Sequence, residues 1–140
     1  MRETDKAIGL LLPYIGKGGE VFNQSYDTMT QIRTNLKNLI MTIKGERWMQ
    51  PNFGTKIYHK LFDQYNEDFA DDIIEDIQRE VEYWMPFIDV SGDRIQVFFA
   101  SQSDMDNYTI TIKITYGIMY TPGINDTITF KFSQNGVLSN

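Results

Sequence analysis

Carboxylates come first among the residues of this chain that could do chemistry. Between Asp63 and Asp93 there are eleven acids against one base, Arg79, a local balance of -10. Within that block Asp71, Asp72, Glu75, Asp76 and Glu82 fall on one face of a predicted helix. Carboxylates three or four residues apart can bind a metal or share general acid and general base work. Either task needs a convergent partner. The one histidine, His59, lies between Tyr58 and Lys60 on the outer face of a short predicted helix, and the chain has no cysteine. A lone imidazole does not complete a transition-metal site. The acids therefore read as a solvated face or a surface for a basic partner, and no catalytic residue, metal ligand or cofactor is assigned.

The second stretch of interest is KGERWMQPNFG, Lys44 to Gly54. Gly45 follows a helical pattern and stops it, while Pro51 and Gly54 forbid regular structure beyond it. Gly45, Pro51, Phe53 and Gly54 are expected to shape a loop, with Phe53 tucked beneath. Glu46, Arg47 and Trp48 are a mixture that solvent-facing linkers rarely carry, and are expected to contact a partner. Arg47 can fork to a carboxylate. An internal clamp on the acidic helix and a contact between subunits both satisfy it. Around this loop, Thr28 to Phe62 holds six bases against one acid, Glu46, a balance of +5. Such neighbouring blocks can draw two segments together or present faces of opposite sign to different partners.

These stretches sit in a chain of 140 residues, enough for one domain with a real core. With 41% hydrophobic and 14% aromatic residues it is not a disordered polymer, and its net charge of -6 opposes binding to nucleic acid. The early apolar run Ile8 to Leu12 is far shorter than the ~20 residues of a membrane span, and Asp5 and Lys6 beside it make a poor signal peptide. A cytosolically made protein without membrane contact is expected.

The positioning elements follow from periodicity. Residues 1–26, with Pro13, Gly16, Gly18 and Gly19 among apolar side chains, read as an extended arm lying in a groove. Ile32, Leu36, Leu39, Ile40 and Ile43 make one face of a helix from Thr28 to Lys44, capped by Asp27 or by a Thr28 and Gln31 capping box. Thr55 opens a short helix with Ile57, Tyr58, Leu61 and Phe62 on one face. Asn66 caps a third, whose stripe is Ala70, Ile73, Ile74, Ile77, Val81 and Trp84. Strand alternation then runs through Ile95 to Phe99, Tyr108 to Tyr120 with a bulge at Gly117, and Ile128 to Phe132 after a turn at Pro122 to Asp126. The expectation is an α+β domain over residues 27–140, three helices on one face of an antiparallel sheet of about three strands. Thr127, Ile128, Thr129, Phe130, Lys131 and Phe132 form its last strand and open edge, able to accept a strand from another chain.

A helix ending in NLKNLIMTIKGERWMQPNFGTKIYHKLF, then an acidic helix closing on Trp-x-Pro-x-Ile-x-Val (WMPFIDV), then strands, resembles the gp25-like baseplate wedge family of contractile phage tails. Related proteins occur in type VI secretion baseplates. The resemblance spans about residues 28–132. It implies a structural, non-enzymatic virion protein of the tail baseplate, present in multiple copies. It also implies contacts with other wedge proteins, with tube-proximal proteins, and with the tail sheath, whose assembly such proteins initiate. Relatives often carry Glu-Pro-Arg where this chain has Met85, Pro86 and Phe87. Trp84, Pro86 and Phe87 are therefore expected to give a more apolar contact to wedge partners. Some relatives are labelled lysozyme-like. A glycosidase needs two carboxyls roughly 5 to 9.5 Å apart, and Glu46 with an acid of the third helix is the pairing to test.

Overall fold

The computed structural model describes residues 9–10, 24–25, 27–63, 67–99, 109–133 and 136–139. The chain divides into two compact units, Met1–Asn38 and Leu39–Asn140, so that the division falls inside the first long helix.

In the first unit β1 (Gly9–Leu10) pairs antiparallel with β2 (Gln24–Ser25). The rest of the expected arm lies outside the described residues. Helix α1 (Thr28–Met41) starts here. Its cap is Asp27, whose Oδ2 accepts the backbone N–H and the hydroxyl of Thr30, both at 2.9 Å. These bonds hold the Asp27 carboxyl below its ordinary pKa. The side-chain amide of Gln31 donates to Asn35 Oδ1 at 2.8 Å, further along the helix.

The second unit opens with the last turn of α1, which carries buried Leu39 and Ile40. The helix stops at Met41, three residues before the expected end, because the chain finds another main-chain partner. Thr42 O accepts the Thr55 N–H at 3.0 Å, and Lys44 N–H donates to Thr55 O at 3.0 Å, closing a parallel bridge between Ile43 and Thr55. The Thr55 hydroxyl donates to Ile40 O at 3.1 Å, satisfying one of the carbonyls that a helix end leaves open. Helix α2 (Ile57–Lys60) follows, with Ile57 and Leu61 buried; Phe62, expected on the same face, is exposed and meets Tyr58 edge-on.

Helix α3 (Phe69–Trp84) buries Phe69, Ile73, Ile77 and Val81. Its expected Asn66 cap lies outside the described residues. One acid expected on the solvent face is instead inside: Asp76 is buried, accepting the Lys56 backbone N–H at 2.8 Å and the guanidinium of Arg79. Glu80 is buried as well. Both carboxylates are tolerable there because each faces a cation.

Among the described residues the sheet has five strands where about three were expected. Strand β5 (Ile110–Ile118) is central. One flank takes two short antiparallel partners, β3 (Ile88–Asp89) and β4 (Ile95–Phe98), and the other takes β6 (Thr121–Ser133). Ile110, Ile112, Ile114 and Tyr116 alternate inward opposite Phe132, Phe130 and Ile128. Tyr116 is fully buried, and its hydroxyl donates to Asp126 Oδ2 at 2.8 Å. The expected irregularity at Gly117 is present as a register shift between Gly117 and Ile118. The expected turn at Pro122 is not: the chain reverses at Met119 and Tyr120, and Pro122 enters β6 inside the shift, where no ladder N–H is required of it.

The last correction concerns the edge. β7 (Gly136–Ser139) pairs antiparallel with Phe130–Ser133, so Phe130, Lys131 and Phe132 have a neighbour on their outer flank. Thr127, Ile128 and Thr129 precede that ladder. A four-residue tail is too short to announce a strand, yet β6 templates it.

Candidate partner-binding site

The chain from Ile43 to Thr55 is a loop closed at its neck and shaped by its own main chain. Beyond the bridge, Gly45 N–H donates to Pro51 O at 2.8 Å and Phe53 N–H to Gln50 O at 3.1 Å. Glu46 closes the entry turn twice: its N–H donates to Ile43 O at 3.0 Å, and its Oε2 accepts the Ile43 N–H at 3.1 Å. Gly54 adopts φ +113°, and a Cβ there would stand 2.4 Å from Thr42 O, so only glycine fits the neck.

Two side chains, Phe53 and Lys44, tie the loop to the end of α3, and Arg47 covers one of them. The Arg47 guanidinium lies 4.3 Å from the Phe53 ring centroid, and Phe53 meets Trp84 edge-on at 5.1 Å. Lys44 Nζ reaches Glu80 Oε1 at 2.5 Å. With Lys60 on Asp72 at 2.8 Å and the Lys56 amide on Asp76, the basic and acidic blocks meet within one chain at three points. Lys44, the first residue of the stretch, thus makes an ion pair to α3, while Arg47 stacks on Phe53. A cleft of about 270 Å³ opens among Lys44, Asn52, Arg79, Glu80 and Tyr83.

What this framework holds outward is Trp48, 99% exposed, and Met49, 94% exposed. Two expected groups are brought together here, since Phe53 of the loop touches Trp84 of the WMPF segment. Trp84 is half-buried between Phe53 and Tyr83, whereas Pro86 and Phe87 are exposed. Beside Phe87 stand residues that the sequence did not single out. Met119 N–H donates to Phe87 O at 3.1 Å, and Met119, Tyr120 and Ile124 are all exposed. The signal for Met119 and Tyr120 was available in GIMYTPG, two large apolar side chains just before a Pro-Gly pair.

Three carboxylates near the loop already have partners. Glu46 is engaged by the Ile43 amide, and Asp76 and Glu80 are held by cations. Among the described residues no three histidine, cysteine or carboxylate side chains gather as a metal cluster, and no helix is long and apolar enough to cross a membrane.

The described elements make an α+β domain with a closed loop and a short terminal sheet strand. The family model described as baseplate wedge protein gp25 matches residues 27–123, and the chain belongs to that family. It is 27% identical over 95 residues to the baseplate wedge protein gp25 of Enterobacteria phage T4, across 67% of each chain. Two solved structures share the fold. One, described as a candidate tail lysozyme of Geobacter sulfurreducens, superposes with a TM-score of 0.63 at 20% identity, covering 76% of this chain and 91% of that one. The other belongs to the baseplate complex of a type VI secretion system, with a TM-score of 0.55 at 14% identity, covering 75% and 92%.

Proposed function

We propose that this chain is a structural wedge subunit of a contractile tail baseplate, present in multiple copies, that joins other wedge proteins through the Trp48 loop and the neighbouring end of α3. The observation that carries this reading is the exposure of Trp48 and Met49 on a loop whose neck is fixed by main-chain bonds. Apolar anchors held ready on a rigid support are what binding hot spots require. Trp84, Phe87, Met119 and Tyr120 extend the surface, giving the apolar contact expected where relatives carry Glu-Pro-Arg. Glu46 has a prior use in the loop, so Arg47 and Trp48 are the contacts we assign from that trio. Trp48→Ala is expected to keep the melting temperature while weakening capture of purified wedge partners on the order of thirtyfold. Equal capture by the variant would refute the loop as anchor.

The sheath is initiated, in this reading, through the free flank of β7 and not through the full length of β6. Support comes from pairing: among the described residues β7 has one strand neighbour, and main-chain pairing recruits a strand with little demand on its side chains. The glycan hydrolase alternative has less support, given the engagement of Glu46, Asp76 and Glu80. Peptidoglycan release by the purified protein that disappears in Glu46→Gln would overturn the structural reading.

A further inference from the structure

The cleft of about 270 Å³ between the loop and α3 is lined by Lys44 and Asn52 on one side and by Arg79, Glu80 and Tyr83 on the other. Its charges are sorted by depth. The side chains of Asp76 and Glu80 are 3% and 5% exposed, while those of Arg79 and Lys44, which neutralise them, are 60% and 26% exposed. Acids are therefore covered and cations meet solvent. Donors are also left over. Arg79 gives Nη2 to Asp76 and sets Nε 3.7 Å from Glu80 Oε1, so its Nη1 has no acceptor among the described residues. Lys44 Nζ uses one of its three protons on Glu80. The Asn52 amide and the Tyr83 hydroxyl have no hydrogen-bond partner among the described residues.

We infer that this cleft takes one aspartate or glutamate side chain of the wedge partner, its carboxylate hydrogen-bonded by Arg79, Lys44 and Asn52. The inference rests on the docking of the Trp48 loop proposed above and adds a polar contact to that apolar anchor. Surplus donors call for an acceptor, and a carboxylate answers charged donors with the shortest and strongest bonds. The volume is below the roughly 300 to 1,000 Å³ of small-molecule sites, which suits a single side chain. Exposed Glu75 and Glu82 stand within four residues of Arg79 on the same helix, and the chain carries a net charge of -6. Both disfavour a polyanion and leave one carboxylate as the matching ligand.

The probes are N-acetylglutamate N-methylamide and its glutamine counterpart, titrated at fixed ionic strength against the full chain and followed by the N–H shifts of Asn52 and Arg79. The variant is Asn52→Asp, which is nearly isosteric at an exposed position, leaves Arg79 on Asp76, and places a carboxylate of the chain's own in the cleft. The melting temperature confirms its fold. Saturable shifts are expected from the glutamate probe alone, and are expected to vanish in Asn52→Asp. Capture of purified wedge partners by that variant is expected to weaken about tenfold. Absent shifts with the glutamate probe, or equal shifts with both probes, would overturn the carboxylate assignment. If Asn52→Asp loses the probe yet captures partners as the parent does, while Trp48→Ala does not, the cleft's part in docking falls and the loop reading stands. If neither substitution weakens capture, both fall together.

Discussion

The loop from Ile43 to Thr55 and the β5–β6 pair solve opposite problems. The loop uses its main chain internally, in the Thr55, Gly45 and Glu46 hydrogen bonds, and leaves Trp48 and Met49 to the outside. The sheet uses its side chains internally, with Ile110, Ile112, Ile114, Phe130 and Phe132 buried, and among the described residues its last strand, β7, has one strand neighbour. Order in the loop comes from hydrogen bonds and permitted φ values; order in the sheet comes from removing apolar area from water. One region can offer side-chain anchors and the other a strand edge, so one small domain can serve two kinds of contact.

That contrast can be broken most forcefully in the sheet. Phe130 is fully buried, and Phe130→Ala is expected to lower stability by about 3 to 5 kcal/mol in urea unfolding. A loss as small as that of an exposed residue would mean that the sheet does not depend on side-chain burial. The loop is tested by its glycines. Gly54→Ala meets Thr42 O at 2.4 Å as well as an unfavourable φ, so a loss of about 2 to 3 kcal/mol is expected. Gly45→Ala has a similar φ of +96° with nothing within 4 Å, and should lose about 1 kcal/mol. Equal losses at the two positions would show that strain, and not the tight neck, limits the loop.

The smallest effect lies in neither region. Asp27 has its folded-state pKa lowered by the bonds from Thr30, so its contribution is present above the ordinary carboxylate pKa and fades as pH falls through the lower folded value. The protection of the Thr30 amide, the slowing of its exchange relative to the unfolded chain at the same pH, should fall in acid before that of the β5 amides. Simultaneous loss would tie the helix start to the sheet core.

The sequence displayed each region to a different extent. Gly45, Pro51 and Gly54 marked the loop because their backbone preferences are local, and the stripes of α3 and β5 were legible because burial imposes period. The early end of α1 was not, since Thr42 leaves the helix for a partner thirteen residues on, which periodicity does not encode. Asp76 was placed outside because charge predicts exposure; Arg79 lies three residues on along the helix, but the Lys56 amide, twenty residues away, is known only from the fold. Nor could β3 or β7 be read: each is short, and each exists because a longer strand beside it supplies the template. At the site, Trp48 was singled out by its setting, while Met119 and Tyr120 were read as the end of the Tyr108 to Tyr120 strand because the turn was placed after them, at Pro122 to Asp126.

An indole and a thioether held in water are also a hazard for a subunit waiting to be used. Two copies meeting tip to tip would hide that surface without any partner, and burying apolar area is favourable by roughly 25 cal/mol per Å² whoever supplies the cover. The net charge of -6, which at first only argued against nucleic acid, acts against such encounters by mutual repulsion. Because repulsion between exposed charges weakens with added salt, the colloidal behaviour of the free subunit is governed by ionic strength.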